Sequence, residues 1–347
     1  MRVLVEGSGG SSGWPEPGCR CASCLRQAAA GHVRARSAIV VDGRVAVGAG
    51  GAEGAEGYRV RALGEGSWDI TGPDGRRLLY AGGPGAVPEP PRDAAPYDIA
   101  FLDLLGEPTQ LGRLRARGLI TADTVTAVAS ADHRVPSEAE LERRCGFWRV
   151  RLVRDGETVN AIRSVEKGPE TRRVLVLGGA RSGKSERAEL RLAGEPEVTY
   201  VAAGGGGAGD PEWAARVAAH RARRPAWWRT AETTDLAGLL AAARGALLID
   251  GIGTWLAAVL DECGAWEDRD AAGDKLAGRI AGLIAAWRQT RAHVVAVSDE
   301  TGLGVVPATP AGRRFRDELG RLNQALAAES EEAELIVAGR ALPLDAG

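Results

Sequence analysis

The 347-residue sequence lacks an excess of charge of either sign: 44 lysines and arginines stand against 46 aspartates and glutamates, a formal net charge of −2. Without an overall positive field nothing holds a polyanion over an extended surface, so a small-molecule partner is expected and no nucleic acid. Long hydrophobic runs are missing too. No stretch approaches the length of a membrane span, and the opening MRVLVEGSGG has neither a long apolar core nor a cleavage signature. The expectation is a soluble, cytoplasmic chain with no membrane partner. Cysteine is scarce and odd in number, five in all, with Cys19, Cys21 and Cys24 crowded together. Such crowding suits a metal or simple thiols better than a disulfide scaffold. No repeat array is visible.

What remains is the composition of an ordinary globular chain. Hydrophobic residues make up 44% and charged residues 26%, which allows packed cores and argues against disorder. The length implies two domains, occasionally three. Residues 1–155 are rich in glycine and in short strand-like runs: Val3 to Val5, Ser37 to Val41, Val45 to Val47 and Asp98 to Leu102. Turn signals such as Asp42-Gly43 and Pro73-Asp74-Gly75 separate several of them and favour a β-rich domain of hairpins. Gly82 to Pro96, dense in proline and glycine, reads as a loop or an internal linker. From Asp155 to Arg172 the sequence is polar without a sustained period, and the domain boundary belongs there: residues 1–160, a linker 161–172, then 173–347.

Residues 173–347 alternate short apolar runs with helical segments. RVLVL (173–177), VTYVA (198–202), ALLID (246–250), HVVAV (293–297) and ELIVA (334–338) fit strands buried on both faces of a parallel sheet. Between Lys275 and Arg291, Leu276, Ile280, Leu283, Ile284 and Trp287 recur at helical spacing and mark one buried stripe. Alternating strand and helix predicts βαβ units and a doubly wound α/β domain.

The strongest motif is Gly178-Gly179-Ala180-Arg181-Ser182-Gly183-Lys184-Ser185, a full G-x-x-x-x-G-K-S directly after one predicted strand and before a predicted helix. A polyphosphate needs many donors in a tight arc. Glycines let successive backbone N–H groups point inward, and the helix N-terminus adds partial positive charge. In this pattern Lys184 reaches the terminal phosphates of ATP or GTP and Ser185 coordinates Mg²⁺. Asp250, closing ALLID, has the character of the acid that holds the metal-bound water; the plainer alternative is an aspartate capping a helix.

A P-loop alone names no substrate. GGARSGKSERAE, DPEWAARVAAHRARRPAWWRTAE (210–232), LLIDGIGTWL (247–256) and VSDETGLGVVPATPAGRRFRDELGRLNQALA (297–327) follow one another in order. Together they resemble the bifunctional adenosylcobinamide kinase/adenosylcobinamide-phosphate guanylyltransferase family, over nearly all of residues 173–347. The resemblance implies two reactions. ATP or GTP phosphorylates the aminopropanol hydroxyl of adenosylcobinamide; GTP then guanylylates an enzyme histidine, and the GMP passes on to give adenosylcobinamide-GDP. It implies His220 as that histidine, flanked by Arg221, Ala222, Arg223 and Arg224, because a neutral imidazole is both a good nucleophile toward phosphorus and a good leaving group. It also implies that Ala202, Ala203, Gly204, Glu232 and Asp250 line the nucleotide site, that SDETGLGVVP (298–307) shapes the corrinoid side, and that the chain forms a homo-oligomer. One departure stands out: some members carry two adjacent histidines where this chain has Ala219 before His220. A GTP-binding kinase or regulatory module without the guanylyl step is therefore the alternative.

GSGGSSGWPEPGCRCASC (7–24) resembles the opening of metallo-β-lactamase-like phosphodiesterases. Cys19, Cys21 and Cys24 have a spacing that can present three thiolates to one structural Zn²⁺. A fourth ligand is then required, with His32, His133 and Cys145 as candidates, and reduced loop cysteines are the plainer alternative. The active form of that fold needs a His-x-His-x-Asp-His cluster, whereas this half holds only His32 and His133, and FLDLLG (101–106) stands where the cluster is expected. The expectation is a degenerate, non-hydrolytic domain.

Overall fold

The computed structural model describes residues 1–48, 50–161, 172–204, 224–267 and 270–344. The chain forms two compact units, Met1–Glu166 with Ala193–Pro196, and Lys167–Leu192 with Glu197–Gly347.

The first unit holds strands β1 (Arg2–Gly7), β2 (Ala38–Val41), β3 (Val45–Gly48), β4 (Gly51–Ala52), β5 (Arg59–Ala62), β6 (Ser67–Thr71), β7 (Arg77–Ala81), β8 (Ile99–Leu102), β9 (Val125–Val128), β10 (Arg151–Leu152) and β11 (Thr158–Asn160). They build two sheets, ordered β11-β1-β2-β3-β4 and β10-β9-β8-β7-β6-β5. Alternation along β1 to β3 points Val3, Val5, Ile39, Val41, Val45 and Val47 inward, onto Ile70, Leu78, Tyr80, Ile99 and Phe101 of the other sheet. Helices α1 (Ala22–Ala29), α2 (Thr109–Ala116) and α3 (Glu138–Trp148) complete the unit. The hairpin signal at Asp42-Gly43 is realised, with both residues at positive φ between β2 and β3. The polar stretch after Asp155 does not all lie outside this unit. Val159 is fully buried opposite Val3, so the single apolar residue in Thr158–Asn160 is enough to add an edge strand to β1.

The second unit is an α/β layer structure. Its strands are β12 (Arg173–Gly178), β13 (Val198–Ala202), β14 (Arg229–Glu232), β15 (Ala246–Asp250), β16 (His293–Asp299), β17 (Glu332–Val337) and β18 (Arg340–Pro343), in the order β14-β13-β15-β16-β12-β17-β18. All neighbours are parallel except β17 and β18. The helices are α4 (Lys184–Leu192), α5 (Leu236–Ala242), α6 (Ile252–Cys263), α7 (Asp270–Gln289) and α8 (Pro310–Ala328).

Both faces of this sheet are covered, which is why its strands read as continuous apolar runs. Leu175 and Leu177 join a core with α5 to α8, while Val174 and Val176 pack on the α4 side with Ala188 and Leu192. The helical stripe is real: Leu276, Leu283 and Trp287 are buried, and Ile280 and Ile284 pack half-buried beside them. The connection from β12 runs to β13, beyond β15 and β16, and that from β16 passes over β12 to β17. The connections that leave β12 and β16 thus run to opposite sides of the sheet, and such a switch point opens a crevice at the carboxyl ends of the two strands.

Candidate nucleotide site and cysteine cluster

β12 ends at Gly178, paired in register with Asp299 of β16 and Ile336 of β17. A Cβ at Gly178 would stand 2.5 Å from Ser182 Oγ and 2.9 Å from the Ile336 carbonyl oxygen, so the loop folds back too closely for any side chain there. Gly183 has φ +95°, a conformation other residues rarely adopt, and it turns the chain into α4. The Ser182 carbonyl accepts from the Gly339 amide at 2.8 Å, which ties the loop to the β17–β18 turn. The loop therefore leads straight into the N-terminus of α4 at the carboxyl end of β12, an arrangement suited to phosphate.

Lys184 Nζ lies 2.9 Å from Asp299 Oδ1 and donates to the Gly179 carbonyl at 3.1 Å. Ser185 Oγ donates to Asp250 Oδ1 at 3.4 Å, and Tyr200 Oη donates to Asp250 Oδ2 at 3.0 Å. Burial, with the Asp250 charge beside it, pushes the Tyr200 phenol well above its ordinary value, so it stays a donor. The Arg224 guanidinium stacks over the Tyr200 ring, 3.4 Å from its centroid.

Ala202 ends β13 between Asp250 and Glu232 in register, so three of the residues picked from sequence stand in one row at the strand ends. Ala203 is buried, Gly204 lies against Thr254 in the first turn of α6, and Glu232 is exposed at the end of β14. His220, Arg221, Ala222 and Arg223 lie outside the described residues.

Three residues of this site have no individual role in the sequence reading: Asp299, Tyr200 and Asn323. Asn323 of α8 is 4% exposed; its Oδ1 accepts from Ser298 Oγ at 2.6 Å and its Nδ2 donates to the Asp299 carbonyl at 3.1 Å.

In the first unit, Cys19, Cys21, Cys24 and His133 bring one ligand atom each to within 4.8 Å of one another. Sγ of Cys19 and of Cys24 lie 3.8 and 3.7 Å from His133 Nδ1. Tetrahedral zinc with ordinary Zn–S and Zn–N bonds would hold such atoms about 3.6 Å apart. Cys21 caps α1, with its sulfur accepting from the Cys24 amide, and the Cys24 sulfur accepts from the Glu16 amide, each at 3.4 Å. The first of these hydrogen bonds is the main cause that lowers the Cys21 thiol, whereas burial pushes Cys24 up to about 11. The loop bearing His133 is fastened to α1 by Ser23 Oγ on the Val135 carbonyl, 2.6 Å, and Arg26 on the Pro136 carbonyl, 2.5 Å. Of the three candidate fourth ligands, the cluster contains His133.

Asp103, just beyond β8, is fully buried. Its oxygens accept from the amides of Leu105 and Gly106 at 3.2 Å each, from the Gly85 amide at 3.0 Å and from Arg134 at 2.8 Å. Arg134 pairs in turn with Asp132 at 2.8 Å.

Residues 174–344 match the family model described as cobinamide kinase / cobinamide phosphate guanyltransferase. The bifunctional adenosylcobalamin biosynthesis protein CobP of Pseudomonas aeruginosa is 43% identical over 178 residues, 50% of this chain and 96% of its own length. The chain belongs to this family. Its likeness to the Salmonella typhimurium protein CobU, also named bifunctional, is 40% over 180 residues, 48% of this chain and 96% of the relative. The cobinamide kinase / cobinamide phosphate guanyltransferase match takes in β12 to β18, hence the P-loop, Asp250 and Asp299 alike. Among solved structures, a Zn(2+)-bound PqqB from Methylobacterium extorquens is 15% identical, with a TM-score of 0.32 over 46% of this chain and 100% of that one, an overlap too loose to bear on fold or function.

Proposed function

We propose that the second unit phosphorylates adenosylcobinamide with ATP or GTP and then transfers GMP from GTP to the product, giving adenosylcobinamide-GDP. The observation that carries the reading is the P-loop crevice, with Lys184, Ser185 and Asp250 gathered at its mouth, in a half of the chain that is 43% identical over 178 residues to a relative named bifunctional. The amides at the N-terminus of α4 and Lys184 hold the triphosphate. Ser185 and Asp250 are hard oxygen donors that fit Mg²⁺, which when bound neutralises charge on the β- and γ-phosphates.

In the second reaction His220 attacks the α-phosphorus of GTP. A P–N bond forms, the bond to the pyrophosphate oxygen breaks, and the cobinamide phosphate oxygen later displaces the imidazole. Support for His220 comes from the ends of the segment that carries it. Gly204 meets Thr254 at one end and Arg224 stacks on Tyr200 at the other, both at the sheet's carboxyl edge. In the sequence His220 is four residues before Arg224. Ala203, Gly204, Glu232 and Arg221 to Arg224 then form the guanosine side. The partners are the corrinoid and the nucleotides, the site belongs to a cytoplasmic homo-oligomer, and no nucleic acid takes part.

Mass analysis of the products from adenosylcobinamide and GTP tests the reading. The parent is expected to yield the phosphate and then the GDP derivative, and Lys184→Ala neither; recovery of unchanged cobinamide from the parent would contradict it.

For the first unit, a specific observation supports a separate reading: Cys19, Cys21, Cys24 and His133 hold one structural Zn²⁺. Two of the thiols stand 3.8 and 3.7 Å from the imidazole Nδ1, close to the spacing such an ion requires, and the third lies within 4.8 Å of the other ligand atoms. The saturated Asp103 carboxylate, with four protein donors on its two oxygens, supports a non-hydrolytic role for this unit.

A further inference from the structure

We infer that Asp299 is the catalytic base of the phosphorylation step, taking the proton of the acceptor hydroxyl as that oxygen attacks the γ-phosphorus. The inference rests on the kinase reading above and adds to it the group that handles the proton.

Asp299 closes β16 directly beside Gly178, at the switch point from which β12 and β16 connect to opposite sides of the sheet. Its backbone is fixed from below: Asn323, 4% exposed, binds the Asp299 carbonyl at 3.1 Å and the hydroxyl of Ser298, itself 1% exposed, at 2.6 Å. The side chain is aimed by that anchor at the P-loop, and its Oδ1 stands 2.9 Å from Lys184 Nζ. On its other side, a Cβ at Gly253 would be 3.0 Å from Oδ2, so the carboxylate sits between Lys184 and the first turn of α6. It is nevertheless 45% exposed and open to an incoming acceptor.

In this motif the lysine reaches the β- and γ-phosphates. A carboxylate touching that lysine therefore stands beside the γ-phosphate. It cannot hold an anionic phosphoryl group by itself, because like charges repel, but it can accept a proton. Asp250 is placed differently, one strand further along, with its oxygens engaged by Ser185 and Tyr200. The two acids thus divide the site: Asp250 serves the P-loop serine and Asp299 faces the acceptor.

When the triphosphate enters, Lys184 turns from Asp299 to the phosphates and leaves the carboxylate free. The hydroxyl oxygen forms a bond to the γ-phosphorus, and the bond to the bridging oxygen breaks. The nucleoside diphosphate leaves with that electron pair, and the hydroxyl proton passes to Asp299, which returns it to water.

The test uses the full chain and Asp299→Asn, with Asp299→Glu as a second variant that keeps a carboxylate. Three quantities are measured: single-turnover phosphorylation of adenosylcobinamide by ATP, binding of a fluorescent GTP analogue, and covalent labelling of the enzyme by α-labelled GTP. Phosphorylation is expected to fall about 100-fold or more in Asp299→Asn. Asp299→Glu should retain more of it, and GTP binding and labelling should not fall in either variant, since the Lys184 contact with Asp299 is given up when the triphosphate enters. Normal phosphorylation by Asp299→Asn overturns the inference and leaves the kinase reading intact, as does a loss of GTP binding that parallels the loss of rate. A parent chain that phosphorylates no cobinamide overturns the kinase reading itself.

Discussion

Gly178 carries a constraint that only its surroundings explain. With Ser182 Oγ 2.5 Å and the Ile336 carbonyl 2.9 Å from where a Cβ would sit, Gly178→Ala must displace either the loop or β17. Overpacking of this kind costs about 1–3 kcal/mol, and here the strain falls on the amides that face the phosphates. Binding of a fluorescent GTP analogue is expected to weaken about 10-fold or more, while the far-ultraviolet circular dichroism stays that of the parent; unaltered binding would refute the close-packed loop. At this scale the P-loop and Asp250 were legible in the sequence, because their chemistry is local: glycines, lysine and serine at fixed spacing after an apolar run. Asp299 was not legible as an individual. Nothing in SDETGLGVVP says that its strand lies against β12, and only the strand order puts the carboxylate on Lys184. Tyr200 was hidden for a related reason, since it reads as one more apolar strand residue until its hydroxyl meets Asp250.

At the scale of elements, α4 is fastened to β17 by charge as well as by Ala188 and Leu192. Glu334 accepts from Arg187 at 3.1 and 3.2 Å and from Arg191 at 2.9 Å, and all three are buried. Burial lowers the Arg191 guanidinium to about 10 against the pull of Glu334, a sign of how little solvent reaches it. Replacing Glu334 by glutamine would leave buried guanidinium groups short of a counter-charge, at an expected loss of about 3 kcal/mol in urea unfolding. A loss below about 1 kcal/mol would show the triad to be dispensable. Strand runs and the α7 stripe followed from periodicity alone. The edge strand Thr158–Asn160 did not, because its single buried residue, Val159, sets no period. The cysteine spacing was equally plain, whereas the selection of His133 over His32 and Cys145 depended on a loop more than a hundred residues away being tied to α1 through Ser23 and Arg26.

For the whole molecule, the proposed zinc and nucleotide chemistry fall in separate units. The Cys19, Cys21, Cys24 and His133 cluster belongs to the first, so a chelator strong enough to strip zinc should destabilise that unit and leave nucleotide labelling by the second unchanged. Elemental analysis of the purified chain is expected to give one zinc per polypeptide and about half or less for Cys24→Ser; a metal-free parent of full stability would end that reading. Whether the second unit forms a guanylyl-histidine is decided with α-labelled GTP. Label is expected on the protein through an acid-labile, alkali-stable bond, absent from His220→Ala, and discharged when cobinamide phosphate is added. A parent that binds GTP and phosphorylates cobinamide yet takes up no label would contradict this, and the second unit would then be a kinase without the second reaction.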